Sequence, residues 1–171
     1  MFQRGIPCPP FYLSSLLMTL IVFCVSTACT SRAYGEPEMI FDKSYELPFP
    51  IARVYDAWVS SDTVISPATS MDLDPVVGGH YRLIMDSPEF SARNEGKFLL
   101  VDPGNHVRYT WEWNGDGEVT EIDVTFSRNA ESTLIRIIHT GFQKEESFEN
   151  HSTGWDSYIE GFTVLLSQSS S

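Results

Sequence analysis

Residues 152–167 read STGWDSYIEGFTVLLS, and they decide the fold. Trp155, Tyr158, Ile159, Phe162, Leu165 and Leu166 recur at i, i+3, i+4, i+7, i+10 and i+11, one continuous apolar face of an α-helix, with Asp156 and Glu160 on the outer side. Ser152 or Thr153 is placed to cap its start, and the serine-rich residues 167–171 read as a frayed tail. An apolar face of this width has to be buried against another element.

Upstream, the period changes from helical to alternating. Residues 71–74, 80–85, 96–101, 107–113, 119–127 and 133–140 are short β runs. The breaks between them carry turn chemistry: Gly78-Gly79, Asp102-Pro103-Gly104-Asn105, Asn114-Gly115-Asp116-Gly117 and Arg128-Asn129. Strands joined so tightly form an antiparallel meander. Ahead of them, residues 40–47 alternate loosely and stop at Pro48 and Pro50, a strand ending in a rigid turn. Ile51, Val54 and Trp58 then recur at helical spacing, Pro50 suits the first turn, and Ser60-Ser61-Asp62 ends the helix. The expected fold is α+β: a curved antiparallel sheet wrapped around a long C-terminal helix.

A chain of 171 residues, 42% of them hydrophobic, is about one domain with enough apolar mass for a core. Its formal charge of −12 is unevenly spread: all 23 acidic residues lie from Glu36 onward, while Arg4 and Arg32 precede it. So acidic a domain repels phosphate backbones and anionic headgroups, which excludes nucleic acid as a partner.

Residues 1–35 read as a leader and 36–171 as the working domain. Arg4 is followed by an uncharged stretch, 11–28, that contains Leu16-Leu17-Met18 and Leu20-Ile21-Val22-Phe23, the pattern of a secretory signal peptide. Three outcomes stay open. Ser26-Thr27-Ala28-Cys29 resembles a lipobox, with Cys29 the lipidation candidate, although the usual Leu three residues before the cysteine is Ser26. Ala33-Tyr34-Gly35 suits ordinary cleavage before Glu36, and an uncleaved anchor would need about 20 apolar residues. The expectation is an exported protein of the periplasm or cell envelope that touches membrane only through the leader or a lipidated Cys29. Cys8, Cys24 and Cys29 all fall in the leader, so the domain has no disulfide, thiolate nucleophile or cysteine metal site.

On strand 107–113, Val107, Tyr109, Trp111 and Trp113 share one side and Arg108, Thr110 and Glu112 the other. The aromatic side reads either as a pocket wall or as core against Trp155 and Phe162. His139 shares a strand face with Ile135 and Ile137, which leaves it a ligand-contacting or acid/base group, or a buried structural histidine. His80, His106 and His151 are scattered, and no two histidines have a short metal-ligand spacing. No G-x-S-x-G occurs, and Asp72/Asp74 and Glu145/Glu146 read as solvated carboxylates. Gly78-Gly79 lacks the further glycines of a phosphate loop and reads as a turn. Arg82 and Arg136 meet either a ligand carboxylate or neighbouring acids, and Gly161 lets the last helix approach the sheet or widens a cavity mouth. No cofactor and no metal are expected.

In chain order, Val54-Tyr55-Asp56-Ala57-Trp58, Gly78-Gly79-His80-Tyr81-Arg82, Gly96, Asp102-Pro103, Tyr109-Thr110-Trp111, Thr133, His139-Thr140-Gly141-Phe142, His151 and Gly154-Trp155 resemble the START-like, or SRPBCC, superfamily, in its branch of homologues of the activator of the heat-shock chaperone ATPase. The resemblance implies a helix-grip fold with a deep cavity between sheet and last helix. Relatives in the wider superfamily carry lipids, act as cyclases or aromatases, or assist chaperones, so fold alone does not set function. Members commonly carry a Trp after the first helix, where this chain reads Val64-Ile65-Ser66-Pro67-Ala68-Thr69-Ser70, which points to a different ligand. The expected function is a non-enzymatic or weakly catalytic pocket protein that binds a small hydrophobic or amphipathic molecule through Trp58, Tyr81, Met85, Tyr109, Trp111, Trp113, His139 and Trp155. The alternatives are a cyclase-like or hydrolytic enzyme using His139, and a chaperone-type interaction protein, against which export counts.

Overall fold

The computed structural model describes residues 38–168. The expected leader, with Cys29 and both cleavage points, lies outside them, as do the last three residues of the tail. The elements are β1 (Phe41–Leu47), α1 (Ile51–Trp58), β2 (Ser70–Leu73), β3 (His80–Asp86), β4 (Ser91–Asp102), β5 (His106–Trp113), β6 (Thr120–Asn129), β7 (Ser132–Thr140) and α2 (Glu145–Gln168). All seven strands form one antiparallel sheet in the order β1-β7-β6-β5-β4-β3-β2. This is the expected α+β helix-grip plan: strands β2 to β7 run as a meander, and β1 returns to the far edge beside β7.

Alternation along each strand sorts the residues between two faces. On the inner face one row crosses five strands, Phe41 beside His139, His139 beside Ile122, Ile122 beside Tyr109 and Tyr109 beside Phe98, and all five residues are buried. Trp155, Ile159, Phe162 and Leu166 of α2, also buried, come from the apolar helix face read in the sequence. On the outer face, cross-strand ion pairs take the place of apolar contacts. Arg82 meets Glu95 at 2.8 Å and Arg136 meets Asp42 at 2.6 Å, so both arginines serve acidic neighbours. Such exposed pairs contribute little stability and keep the face solvated.

The sheet bends where β4 slips register against β5 between Phe98 and Leu100. Gly96 sits at the start of this bend, and a Cβ there would lie 1.8 Å from the Thr110 carbonyl oxygen, so no other residue fits. Gly161 serves a different contact from the one expected. A Cβ on it would come 2.5 Å from Cγ2 of Ile65, so its bareness admits the segment after α1 rather than the sheet.

Several boundaries differ from those expected on sequence: Arg128 and Asn129, expected as a break, are the paired end of β6, and the turn falls at Ala130-Glu131. Pro50 is the N-cap of α1, one position ahead of the first turn. Strand β4 starts at Ser91, because its first half pairs with β3 (Met85 opposite Ala92) while alternating polar side chains outward. Helix α2 starts at Glu145, about two turns before Ser152, and the Ser152 hydroxyl bonds back to the Phe148 carbonyl at 2.7 Å instead of capping. Those extra turns carry one large apolar residue, Phe148, which packs on the core, and a carboxylate from the β5–β6 turn anchors the backbone just ahead of them.

Candidate ligand-binding site

Between the concave face of the sheet, the segment 65–68 and α2 lies a cavity of about 710 Å³. Its inner wall is apolar and mainly aromatic: Leu83 and Met85 from β3, with Tyr81, Tyr109, Trp111, Trp113, Trp155 and Tyr158. Its rim is polar, with Asp116 and Glu118 from the β5–β6 turn facing Lys144, Ser147 and His151 at the start of α2. Phe90, at the tip of the β3–β4 hairpin, borders the opening and is 58% exposed. Of the residues expected to contact ligand, Tyr81, Met85, Tyr109, Trp111, Trp113 and Trp155 line this cavity.

Trp58 and His139 do not line it. Trp58 is buried behind the wall, stacked on Trp155 at 6.2 Å and edge-on to Phe126 and Phe162. His139 is fully buried, and both its ring nitrogens are occupied. The Trp155 indole N–H donates to Nδ1 at 3.1 Å. Because an indole can only donate, Nδ1 must accept, and the ring proton sits on Nε2. That Nε2 lies 2.8 Å from the Thr120 hydroxyl, which passes its own proton to the Trp111 carbonyl at 3.1 Å. Burial, with His151 close by, pushes the His139 pKa down to about 3. A neutral, saturated imidazole is a structural group, and general acid/base chemistry at His139 has no geometric support.

His151 repeats the arrangement on the cavity wall. Its Nε2 accepts the Trp113 indole N–H at 3.0 Å, and its Nδ1 donates to the Ser147 carbonyl at 2.7 Å. Burial lowers its pKa against the opposing pull of the Ser147 carbonyl and of Glu118 and Asp116. The two imidazoles stand perpendicular, 5.0 Å apart. Sequence alone leaves His151 unassigned because its partner Trp113 is 38 residues away. Its one legible sign is the helical spacing that puts it one turn before Trp155.

Glu118 is the other residue that sequence does not single out. Although only 7% exposed, its Oε1 accepts the backbone N–H groups of Gln143 at 2.7 Å and Lys144 at 3.0 Å, just ahead of α2. Burial pushes its pKa up, but the Gln143 N–H, the Ser147 hydroxyl and the Lys144 N–H outweigh that and hold it below the usual range. Asp116 supports it by accepting the Glu118 N–H at 2.9 Å and the Lys144 ammonium at 3.1 Å. Glu145 and Glu146 add negative charge to the first turn, where the helix dipole favours it.

Burial raises the pKa of Tyr81, Tyr109 and Tyr158 further above the phenol value, so all three stay protonated. Among the described residues no cluster of three or more His, Cys, Asp or Glu is arranged to hold a metal. The site is therefore an uncharged, mostly aromatic pocket with a net acidic rim, where Lys144 faces Asp116, Glu118 and Glu146.

The family model described as Activator of Hsp90 ATPase homolog 1-like protein matches residues 48–167, which span α1, strands β2 to β7 and nearly all of α2. The chain belongs to this family. Solved structures agree on the fold of this Hsp90-ATPase-activator-homologue family. Protein CV1439 from Chromobacterium violaceum is 19% identical, with a TM-score of 0.65 over 74% of this chain and 96% of its own. MLL2253 from Mesorhizobium loti is 18% identical, with a TM-score of 0.66 over 75% and 97%. PFC0360w from Plasmodium falciparum, described as an HSP90 activator, is 18% identical, with a TM-score of 0.64 over 75% and 96%. No curated protein matches the chain. The family match and the START-like fold are compatible with ligand binding and with activator homology alike.

Proposed function

We propose that this protein is an exported binding protein that holds one small hydrophobic or amphipathic molecule between its sheet and α2. The observation that carries this reading is the cavity: about 710 Å³, with an apolar, largely aromatic wall and a polar rim. That volume lies inside the roughly 300–1,000 Å³ range of small-molecule sites. The segment 65–68, where the resemblance leads one to expect a Trp, lines it with smaller side chains instead and leaves room for a different ligand. Export rests on the leader pattern before Glu36, with Cys29 as the lipid-anchor candidate. Solvent extraction of protein purified from its own cells tests the binding claim, and fractionation of the same cells tests export. The reading expects a recurrent small apolar compound at near-equimolar amount, and a domain recovered from the envelope. Clean protein that takes up no apolar probe would overturn it.

A second reading, activation of a chaperone ATPase, is favoured by the family description and by the likeness to the Plasmodium HSP90 activator. Stimulation of purified Hsp90 ATPase by this protein would support it, and recovery of the protein outside the cytosol would count against it.

A further inference from the structure

The inner end of the cavity holds more hydrogen-bond donors than acceptors. Tyr81 from β3 and Tyr109 from β5 stack at 5.0 Å, and Tyr158 from α2 closes the same space. Their hydroxyls are near enough for Tyr109 and Tyr158 to disfavour ionisation of Tyr81, and for Tyr158 to do the same to Tyr109. Trp111 lies 5.4 Å from Tyr81, and its buried indole N–H has no hydrogen-bond acceptor among the described residues. Three hydroxyls and one indole thus supply four donor hydrogens against three phenolic oxygens. The carboxylates of Asp116 and Glu118 are no remedy, because they are held at the rim. Tyr158 lies about 16 Å of helix beyond Ser147, which lines the rim.

A buried wall with surplus donors is complementary to a ligand that only accepts. We propose that the cavity selects hydrophobic molecules bearing a carbonyl oxygen and binds them oxygen-first, against the phenols of Tyr81, Tyr109 and Tyr158. This rests on the cavity reading above and adds the chemical class and the orientation. A carbonyl offers two lone pairs and no hydrogen, whereas a hydroxyl would bring a further donor.

The test is calorimetric titration of the full chain, as processed by its cells, with 2-acetylphenanthrene and 2-isopropenylphenanthrene. These probes differ only in a C=O against a C=CH2 group. The ketone is expected to bind about tenfold tighter, the factor that one well-placed neutral hydrogen bond supplies. In Tyr109→Phe that advantage should largely vanish while the affinity for the alkene holds. Tyr81→Phe serves the same purpose if the first variant does not fold, and the wild-type comparison depends on neither. Equal affinities for the two probes would overturn the inference and leave the cavity reading standing. Binding of neither would overturn both.

Discussion

The indole N–H of Trp155 donates to Nδ1 of His139 at 3.1 Å, which ties α2 to the innermost row of the sheet. The bond explains why a histidine sits fully buried on a face otherwise made of Ile122, Ile135 and Ile137. It accepts one hydrogen bond from the helix and donates one to Thr120, so the group is satisfied only when sheet and helix are assembled.

Replacing His139 with Ala should destabilise the fold by about 3 kcal/mol, since it opens a void, strands the Trp155 indole and removes the donor to the Thr120 hydroxyl. Urea unfolding measures this. A loss below about 1 kcal/mol would mean that the network carries no stability.

Acid should unfold the protein earlier than its carboxylates alone require. A histidine whose folded pKa lies below its unfolded value takes up its proton on unfolding, so its contribution is complete above pH 6.5 and is lost towards about 3. The full loss is of order 5 kcal/mol, and His151 is shifted in the same direction. Glu118, Asp42, Asp116 and Asp156, whose folded pKa values are lowered, withdraw their contributions only below the ordinary carboxylate values, near pH 4. Melting temperature should therefore already decline between pH 6.5 and 5, and a flat profile there would contradict the assigned histidine environment.

Glu118→Gln should loosen the start of α2, because the amide has a neutral oxygen where the carboxylate accepts two backbone N–H groups. The expected cost is about 1–3 kcal/mol, with loss of hydrogen-exchange protection concentrated in the first two turns of α2. Protection lost uniformly along the helix would argue against a local anchor.

Gly161→Ala opposes two effects of known sign. Helix propensity favours Ala by about 1 kcal/mol, whereas the new Cβ meets Cγ2 of Ile65 at 2.5 Å. The branched methyl cannot retreat without moving its segment, so the substitution should destabilise by about 1–2 kcal/mol. In an Ile65→Ala background the same change should become stabilising, which a double-mutant cycle reads directly.

Features carried by local periodicity were legible in the sequence. The face of α2 from Trp155 to Leu166 and the single aromatic side of β5 needed only spacing, and the turn residues between strands set the meander. What escaped depends on partners far apart in the chain. Helix α2 begins at Glu145 because Glu118, in the β5–β6 turn, receives the N–H groups just ahead of it. Trp58 and His139 had the right faces to reach a cavity, but Trp58 is stacked on Trp155 within the core, and Trp155 and Thr120 claim the ring nitrogens of His139. A period of two tells which way a side chain points; it does not say whether another residue stands between it and the open space.

The central claim, that the space under α2 holds a ligand, is tested most directly by native mass spectrometry of protein purified from its own cells beside an Ala92→Phe variant. Ala92 lines the cavity from β4, so the larger ring would fill ligand space. The account predicts a bound mass on the wild type that is released on denaturation and is absent from a folded variant. Wild-type protein at its bare mass, or the same adduct on both proteins, would contradict it.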